Sequence, residues 1–138
     1  MKASLHSVLM AGLVAAAIAP VGRAAAADVA TGLWYDHTGR GAVEISDCGG
    51  KLCGKIVWLK DAKNAKGCGI QVLANVPPVG PNTWDGGWIY DPEENSKYDV
   101  ELKLLSADKL KVTGYAGVKF LGETMMWTRA PLDIQRCK

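Results

Sequence analysis

Four cysteines are the residues of this chain best placed for covalent chemistry. Cys48, Cys53, Cys68 and Cys137 form an even set, which in an oxidising compartment predicts two disulfides with three possible pairings. The segment between Cys48 and Cys53 contains two glycines and can turn tightly, which favours Cys48 with Cys53 and Cys68 with Cys137. A redox motif has two intervening residues rather than four, and no histidine stands nearby to complete a zinc site. The sequence therefore predicts structural disulfides and no metal site.

Residues for acid–base or nucleophilic catalysis are sparse. His37 follows Asp36 in a segment of turn composition, where an exposed turn histidine is expected rather than a catalytic base. Asp85 and Asp91 suggest a carboxylate pair, but six residues of extended strand separate them by about 20 Å. Glycoside hydrolysis needs carboxylates ~5–9.5 Å apart. Gly86-Gly87 precedes a strand rather than a helix, which does not suit a phosphate loop. We expect no catalytic residue, no cofactor and no enzymatic activity.

The first 27 residues have the order of a secretory signal peptide. Lys2 provides a basic start, residues 5–18 are apolar, and residues 24–27 are four alanines. The apolar run is shorter than the ~20 residues of a membrane span, which favours cleavage near Ala27 over a membrane anchor. We therefore predict one mature domain over residues 28–138, periplasmic or secreted, with no stable membrane insertion.

The charge of this mature segment argues against nucleic-acid binding. The whole chain has 16 basic and 14 acidic side chains, and Lys2 and Arg23 lie in the signal peptide, so the mature domain has 14 of each. A nucleic-acid-binding domain carries a basic excess on one face. No nucleic-acid partner is therefore expected, and the sequence does not specify a protein partner.

Short runs of alternating apolar and polar residues must position whatever site the domain contains. The clearest run is 97–104, where Tyr98, Val100, Leu102 and Leu104 share one face, as in a half-buried antiparallel strand. Further strands are predicted at 32–36, 42–46, 52–59, 84–90, 109–114 and 125–129, with a short one at 70–73. Residues 60–83 are otherwise predicted to be an irregular connection, with 74–84 as a candidate lid. Seven or eight short strands predict an all-β fold, either a barrel or a sandwich.

Four segments resemble a known bacterial family. They are Gly32-x-Trp34, the stretch from Asp47 to Trp58 that contains Cys48 and Cys53, Gly86-Gly87-Trp88-Ile89-Tyr90, and Trp127-Thr128-Arg129. They are similar to the exported domain-of-unknown-function family 2147, over about residues 30–129. The family has no established activity, and the resemblance implies a small closed antiparallel barrel of about eight strands, similar to the lipocalins.

Lipocalin-like barrels often have a glycine-x-tryptophan on the first strand and an arginine near the end that packs across the tryptophan. Gly32, Trp34 and Arg129 match that pattern and are assigned a structural role. A cation over an indole contributes ~0.5–2 kcal/mol. The connection over residues 60–69 departs from the family, because it is rich in lysine and contains Cys68.

Five tryptophans in so short a domain suggest either a packed core or a ligand pocket. Trp88 and Tyr90 share a strand face, and the apolar face of the next strand presents Tyr98, Val100 and Leu102. If both faces point inward, these five residues form the wall of a cavity for a small apolar or amphipathic ligand. The alternative is a filled barrel that serves as a non-enzymatic interaction or structural module in the cell envelope, because eight short strands enclose little space.

Overall fold

The structure, a computed structural model, describes residues 12–18 and 29–137. The predicted signal peptide lies mostly outside these residues and remains a prediction. The strands are β1 (Gly32–Tyr35), β2 (Gly41–Asp47), β3 (Leu52–Leu59), β4 (Gln71–Val76), β5 (Pro78–Gly80), β6 (Thr83–Asp91), β7 (Ser96–Ser106), β8 (Lys109–Tyr115) and β9 (Glu123–Arg129). Two short 3-10 helices, Ala62–Gly67 and Lys119–Leu121, lie in the connections β3–β4 and β8–β9. None of the helices in the described residues is long and apolar enough to span a bilayer.

Eight of the strands close into an antiparallel barrel, which confirms the predicted fold class. Hydrogen-bonded neighbours run in the order β4-β3-β2-β1-β9-β8-β7-β6, and pairing of β4 with β6 closes the circle. Gly87 makes this seam possible, because a Cβ there would lie 2.3 Å from the carbonyl oxygen of Ala74. The short β5 pairs only with β6 and lies outside the circle. The connections alternate between two ends, and β1–β2, β3–β4, β6–β7 and β8–β9 share one end.

Strand β7 shows how the sequence generates the wall. Val100, Leu102 and Leu104 are buried in the barrel interior, whereas Lys97 and Asp99 are exposed on the other face. Because successive side chains of a strand lie on opposite faces, the apolar side chains of β7 share one face, and this face lines the barrel interior. Glu101 departs from the pattern, since it faces outward and is only 8% exposed. Lys119 of the β8–β9 connection covers it, with Nζ 2.8 Å from Glu101 Oε2.

The C-terminal segment after β9 packs on the outside of the barrel. Ile134 lies against an outer cluster that includes Leu33, Val57 and Trp58. The Cys137 amide donates a hydrogen bond to the Val57 carbonyl oxygen at 2.7 Å. Both favoured disulfides are present, one between Cys48 and Cys53 in the β2–β3 turn and one between Cys68 and Cys137. The second disulfide fastens this segment to the β3–β4 connection.

Residues 60–83 are more regular than predicted. Strand β4 extends to Val76 instead of ending at 73, because Ala74 and Val76 are buried as part of the barrel wall. Pro78 and Gly80 still pair with β6 despite the neighbouring prolines. The candidate lid over 74–84 is therefore wrong in position, since the β4–β6 connection lies at the barrel end away from the connections named above.

Candidate functional site

The barrel interior opens into a cavity of about 850 Å³ at one end. We call this end the mouth; its rim is formed by the connections β1–β2, β3–β4, β6–β7 and β8–β9. The inner wall is apolar, and eight of its residues come from seven of the barrel strands. These are Val43, Ile56, Val72, Ile89, Tyr98, Gly114, Met125 and Trp127. A concave, largely apolar space of this size falls within the range of small-molecule sites, ~300–1,000 Å³.

Strand β9 runs along the cavity from the mouth to the floor. Glu123, Met125 and Trp127 alternate onto the inner face and all line the cavity. Their exposure decreases along the strand, from exposed Glu123 through half-buried Met125 to Trp127 at 4%. Trp127 pairs with Leu110 near the β7–β8 turn, at the end opposite the mouth. The cavity therefore has a carboxylate at its entrance and an indole at its floor.

The indole of Trp127 has an unsatisfied donor. Its Nε1 is buried and donates no hydrogen bond to any group of residues 12–18 and 29–137. A buried donor without a partner costs about 1–3 kcal/mol. The indole of Trp34, at the same closed end of the barrel, differs in this respect, because its Nε1 donates to the Ala30 carbonyl oxygen at 2.8 Å.

The rim of the mouth is acidic. Six carboxylates line it together with one arginine and one lysine, which leaves four negative charges without a lining counter-charge. The carboxylates are Asp36, Asp61, Asp91, Glu93, Glu94 and Glu123, and the two cations are Arg40 and Lys60. Because residues 28–138 contain equal numbers of acidic and basic side chains, this acidity is a local concentration of charge.

Several of these carboxylates also shape the rim. Asp36 accepts from the Thr38 amide at 3.0 Å, Asp61 from the Lys63 amide at 2.9 Å, and Asp91 from the Glu93 amide at 2.9 Å. Such bonds to neutral backbone donors hold turns without cancelling the carboxylate charge. Glu93 has a cationic neighbour, the Arg40 guanidinium, at 3.4 Å on the exposed rim.

The Tyr98 hydroxyl extends the polar rim over the apolar wall. It donates to Glu94 Oε2 at 2.9 Å, and this hydrogen bond raises the pKa of Tyr98. Tyr90 Oη in turn donates to Asn95 Oδ1 at 2.9 Å in the β6–β7 turn. Both phenols are therefore held at the mouth by the turn that connects their strands.

A second cluster anchors the β8–β9 connection to the outer wall. Tyr115 Oη donates to Asp85 Oδ1 at 2.6 Å, and Lys119 Nζ binds both Asp85 and Glu101. Burial opposes ionisation of Asp85, but the hydrogen bonds from Lys119 and Tyr115 outweigh it and lower the pKa of Asp85. The hydrogen bond to Asp85 raises the pKa of Tyr115 to about 12. This cluster fixes the connection whose Leu121 and Gly122 complete the mouth.

Two of the five predicted ligand-binding residues line the cavity. Tyr90 and Tyr98 do so at the mouth. Val100 and Leu102 face inward as expected, but they are fully buried in the core that closes the barrel away from the mouth. The five residues therefore do not form one wall, and a role for them in ligand binding remains a prediction.

Trp88 requires a correction of the predicted strand face. It lies opposite Ile89, and Ile89 is the inner residue. Trp88 is on the outer surface, with Lys97 Nζ 4.1 Å from its ring centroid, beside a separate shallow groove. Alternation fixes which residues share a face but not which face is inner, and the bulge between Asp85 and Gly87 shifts the register within β6.

The structural assignments at the closed end agree with the geometry. The Arg129 guanidinium lies over Trp34, with Cζ 3.8 Å from the ring centroid. Gly32 has φ +122°, and a Cβ there would lie 2.8 Å from Arg129 Nη1, so the arginine occupies the space a side chain would need. Among the described residues, the connections that line the cavity all belong to the mouth and not to this end.

Sequence reasoning missed most of the cavity. Met125, Trp127 and most of the rim acids were not among the residues expected to line a site, and His37, which lines the cavity, was expected in an exposed turn. A usable signal was the concentration of aspartate and glutamate in alternate connections, since these meet at one end of an up-and-down barrel. Within the described part of the chain, no cluster of three histidine, cysteine, aspartate or glutamate residues could hold a metal ion.

Two comparisons with known proteins agree with this architecture. Residues 32–129 match the family model described as an uncharacterised protein conserved in bacteria, DUF2147. A solved structure from the human pathogen Helicobacter pylori, described as belonging to the lipocalin family, superposes with a TM-score of 0.56 at 21% identity. The match covers 67% of this chain and 74% of that one, and it supports the fold. None of the curated proteins matches the sequence.

Proposed function

This chain belongs to the bacterial family DUF2147, and we propose that it binds a small apolar or amphipathic molecule inside its lipocalin-like barrel. The observation that carries the proposal is the cavity of about 850 Å³, open at one end and apolar inside. Entry of an apolar group removes its surface from water, and this contributes about 25 cal/mol per Å² of area buried. The polar rim leaves a hydrophilic end of the ligand in contact with water.

Binding without turnover suits the groups around the cavity. Its floor and inner wall consist mainly of aliphatic, methionine and aromatic side chains, which contact a ligand through apolar surface, whereas His37 and the six carboxylates lie at the rim. The space inside the barrel favours ligand binding over the alternative of a filled module that acts only through its surface.

The two disulfides support an exported location for this function. Disulfides persist in the periplasm or outside the cell and are rare in the cytosol. Together with the predicted signal peptide, they support a proposed site of action in the envelope or outside the cell.

Native mass spectrometry of protein purified gently from the exported fraction of its own host tests the proposal first. A discrete bound mass that is lost on denaturation, together with a mature start near Asp28, is the expected result. The same spectrum under denaturing conditions reports whether both disulfides have formed.

Two neighbouring methionines then test whether the cavity is the site. Met125 lines the cavity, whereas Met126 is 40% exposed on the opposite face of β9. Met125→Trp fills the space, and Met126→Trp adds the same group outside. The affinity for a neutral fluorescent alkyl probe is expected to fall at least tenfold in Met125→Trp and to be unchanged in Met126→Trp. Equal affinity of both variants, with unfolding curves like that of the parent protein, would exclude the cavity as the site.

A further inference from the structure

The charge and the floor of the cavity together restrict the chemistry of its ligand. We propose that the cavity takes a cationic amphiphile whose ammonium end lies at the acidic rim and whose inner end carries a hydrogen-bond acceptor for Trp127 Nε1. This inference rests on the proposed function and specifies the ligand class.

The acidic rim favours a ligand whose outer end is positively charged. Six carboxylates and two cations line it, and Lys63 and Lys66 of the neighbouring 3-10 helix are not among the lining residues. Low-dielectric walls concentrate the field of such a charge set at the opening, which raises the local concentration of ions of the opposite sign. An anionic head group would lie against the same carboxylates and be repelled.

The floor of the cavity favours a ligand with a hydrogen-bond acceptor at its inner end. Trp127 is 4% exposed, its ring lines the cavity, and its Nε1 has no acceptor within the described residues. Because Nε1 is itself enclosed, the indole must turn towards the cavity for a ligand oxygen to accept its hydrogen. Met125, the neighbouring inner residue on β9, is partly buried and flexible and can yield to that movement.

Strand β9 sets the distance between the two ends. Glu123 at the rim and Trp127 at the floor are four residues apart on one face, which corresponds to roughly 13 Å along an extended strand. A single extended alkyl chain with a polar group at each end matches this arrangement. A compact ligand cannot reach both groups.

Three probes with the same dodecyl chain test the outer end: dodecylamine, dodecanol and dodecanoate, each displacing the neutral fluorescent probe at low ionic strength. Dodecylamine is expected to bind at least about tenfold more tightly than dodecanoate, and added salt is expected to reduce the difference. Glu123→Lys should reduce that preference. Asp133→Lys, which makes the same charge change on the exposed C-terminal segment, should leave it unchanged.

A fourth probe tests the inner end: dodecylamine with a hydroxyl on its terminal carbon. The parent protein is expected to prefer it over dodecylamine, and Trp127→Phe is expected to lose this preference. If Trp127→Phe does not fold, the indole N–H resonances of the parent protein give the same information. One of them should shift with the hydroxylated probe and not with dodecylamine.

The outcomes separate this inference from the proposed function. If the three dodecyl probes bind equally, or dodecanoate binds best, the cationic ligand is excluded while cavity binding stands. If the terminal hydroxyl has no effect on affinity or on any indole resonance, the role of Trp127 is excluded. If no probe binds and Met125→Trp behaves like its control, both this inference and the proposed function fail.

Discussion

Arg129 covers the indole of Trp34 at the end of the barrel opposite the ligand cavity, with its Cζ 3.8 Å from the ring centroid. The same guanidinium donates to the carbonyl oxygens of Val29, Thr31 and Ala107, each at 2.9 Å. One side chain thus links the segment before β1, the β7–β8 turn and the last strand. The closed end is held by a residue that lies away from the mouth.

Arg129→Lys should destabilise the protein by about 2 kcal/mol, because an ammonium cannot reproduce the flat stacking or the set of hydrogen bonds. Chemical denaturation measures the loss. Arg136→Lys provides the control, since Arg136 makes an exposed ion pair with Glu44 and its replacement should change nothing measurable. Equal stability of the two variants would contradict the sealing role.

Gly87→Ala should open the seam between β4 and β6. The added Cβ would meet the Ala74 carbonyl oxygen at 2.3 Å and the Asn75 backbone at 2.8 Å, neither of which can move without breaking the pairing. We expect a loss of about 2 kcal/mol or more in the free energy of unfolding. Gly80→Ala is the matched control, because nothing lies within 4 Å of its Cβ position. If Gly87→Ala were as stable as the parent protein, close contact between β4 and β6 at this position would not be needed for stability.

Removal of the disulfide between Cys68 and Cys137 should cost more than removal of the one between Cys48 and Cys53. The first closes a loop over a separation of 69 residues and the second over 5. In the loop-entropy model these correspond to about 4 and about 2 kcal/mol. Paired serine variants and urea unfolding measure both values. In the Cys68→Ser/Cys137→Ser protein, Trp58 should also become more accessible to a fluorescence quencher, because Ile134 no longer covers its cluster.

The Tyr115 phenol should ionise well above the ordinary pKa of a tyrosine. Its hydrogen bond to Asp85 raises its pKa to about 12 from the ordinary value of 10.0, so the folded protein retains the neutral phenol. The stabilisation is complete below pH 10 and is lost as the pH rises through about 12. An alkaline titration followed by tyrosinate absorbance should show this late step, which Tyr115→Phe lacks. Absence of the late step in the parent protein, or its persistence in Tyr115→Phe, would contradict the bond to Asp85.

The sequence by itself determined the strands and the closed end. Alternation in β7 identified its apolar face, and the spacing of the cysteines favoured the disulfide pairing that the structure contains. The resemblance to lipocalin-like barrels implied a structural role for Gly32, Trp34 and Arg129, which lie together at the closed end. These features depend on local periodicity or on a few residues of distinctive type, which are legible without knowledge of the fold.

Only the tertiary structure decided what the barrel encloses. Trp88 and Ile89 are neighbours with opposite orientations, and alternation cannot say which of them faces inward until the sheet closes and one face becomes the interior. The acids of the mouth are up to 87 residues apart, from Asp36 to Glu123, and most of them have a local explanation as residues in or beside turns, whereas Glu123 begins β9. They become one charged rim because antiparallel strands return every second connection to the same end of the barrel. The same closure places Trp127 at the floor of the cavity, four residues along β9 from the acid at its entrance.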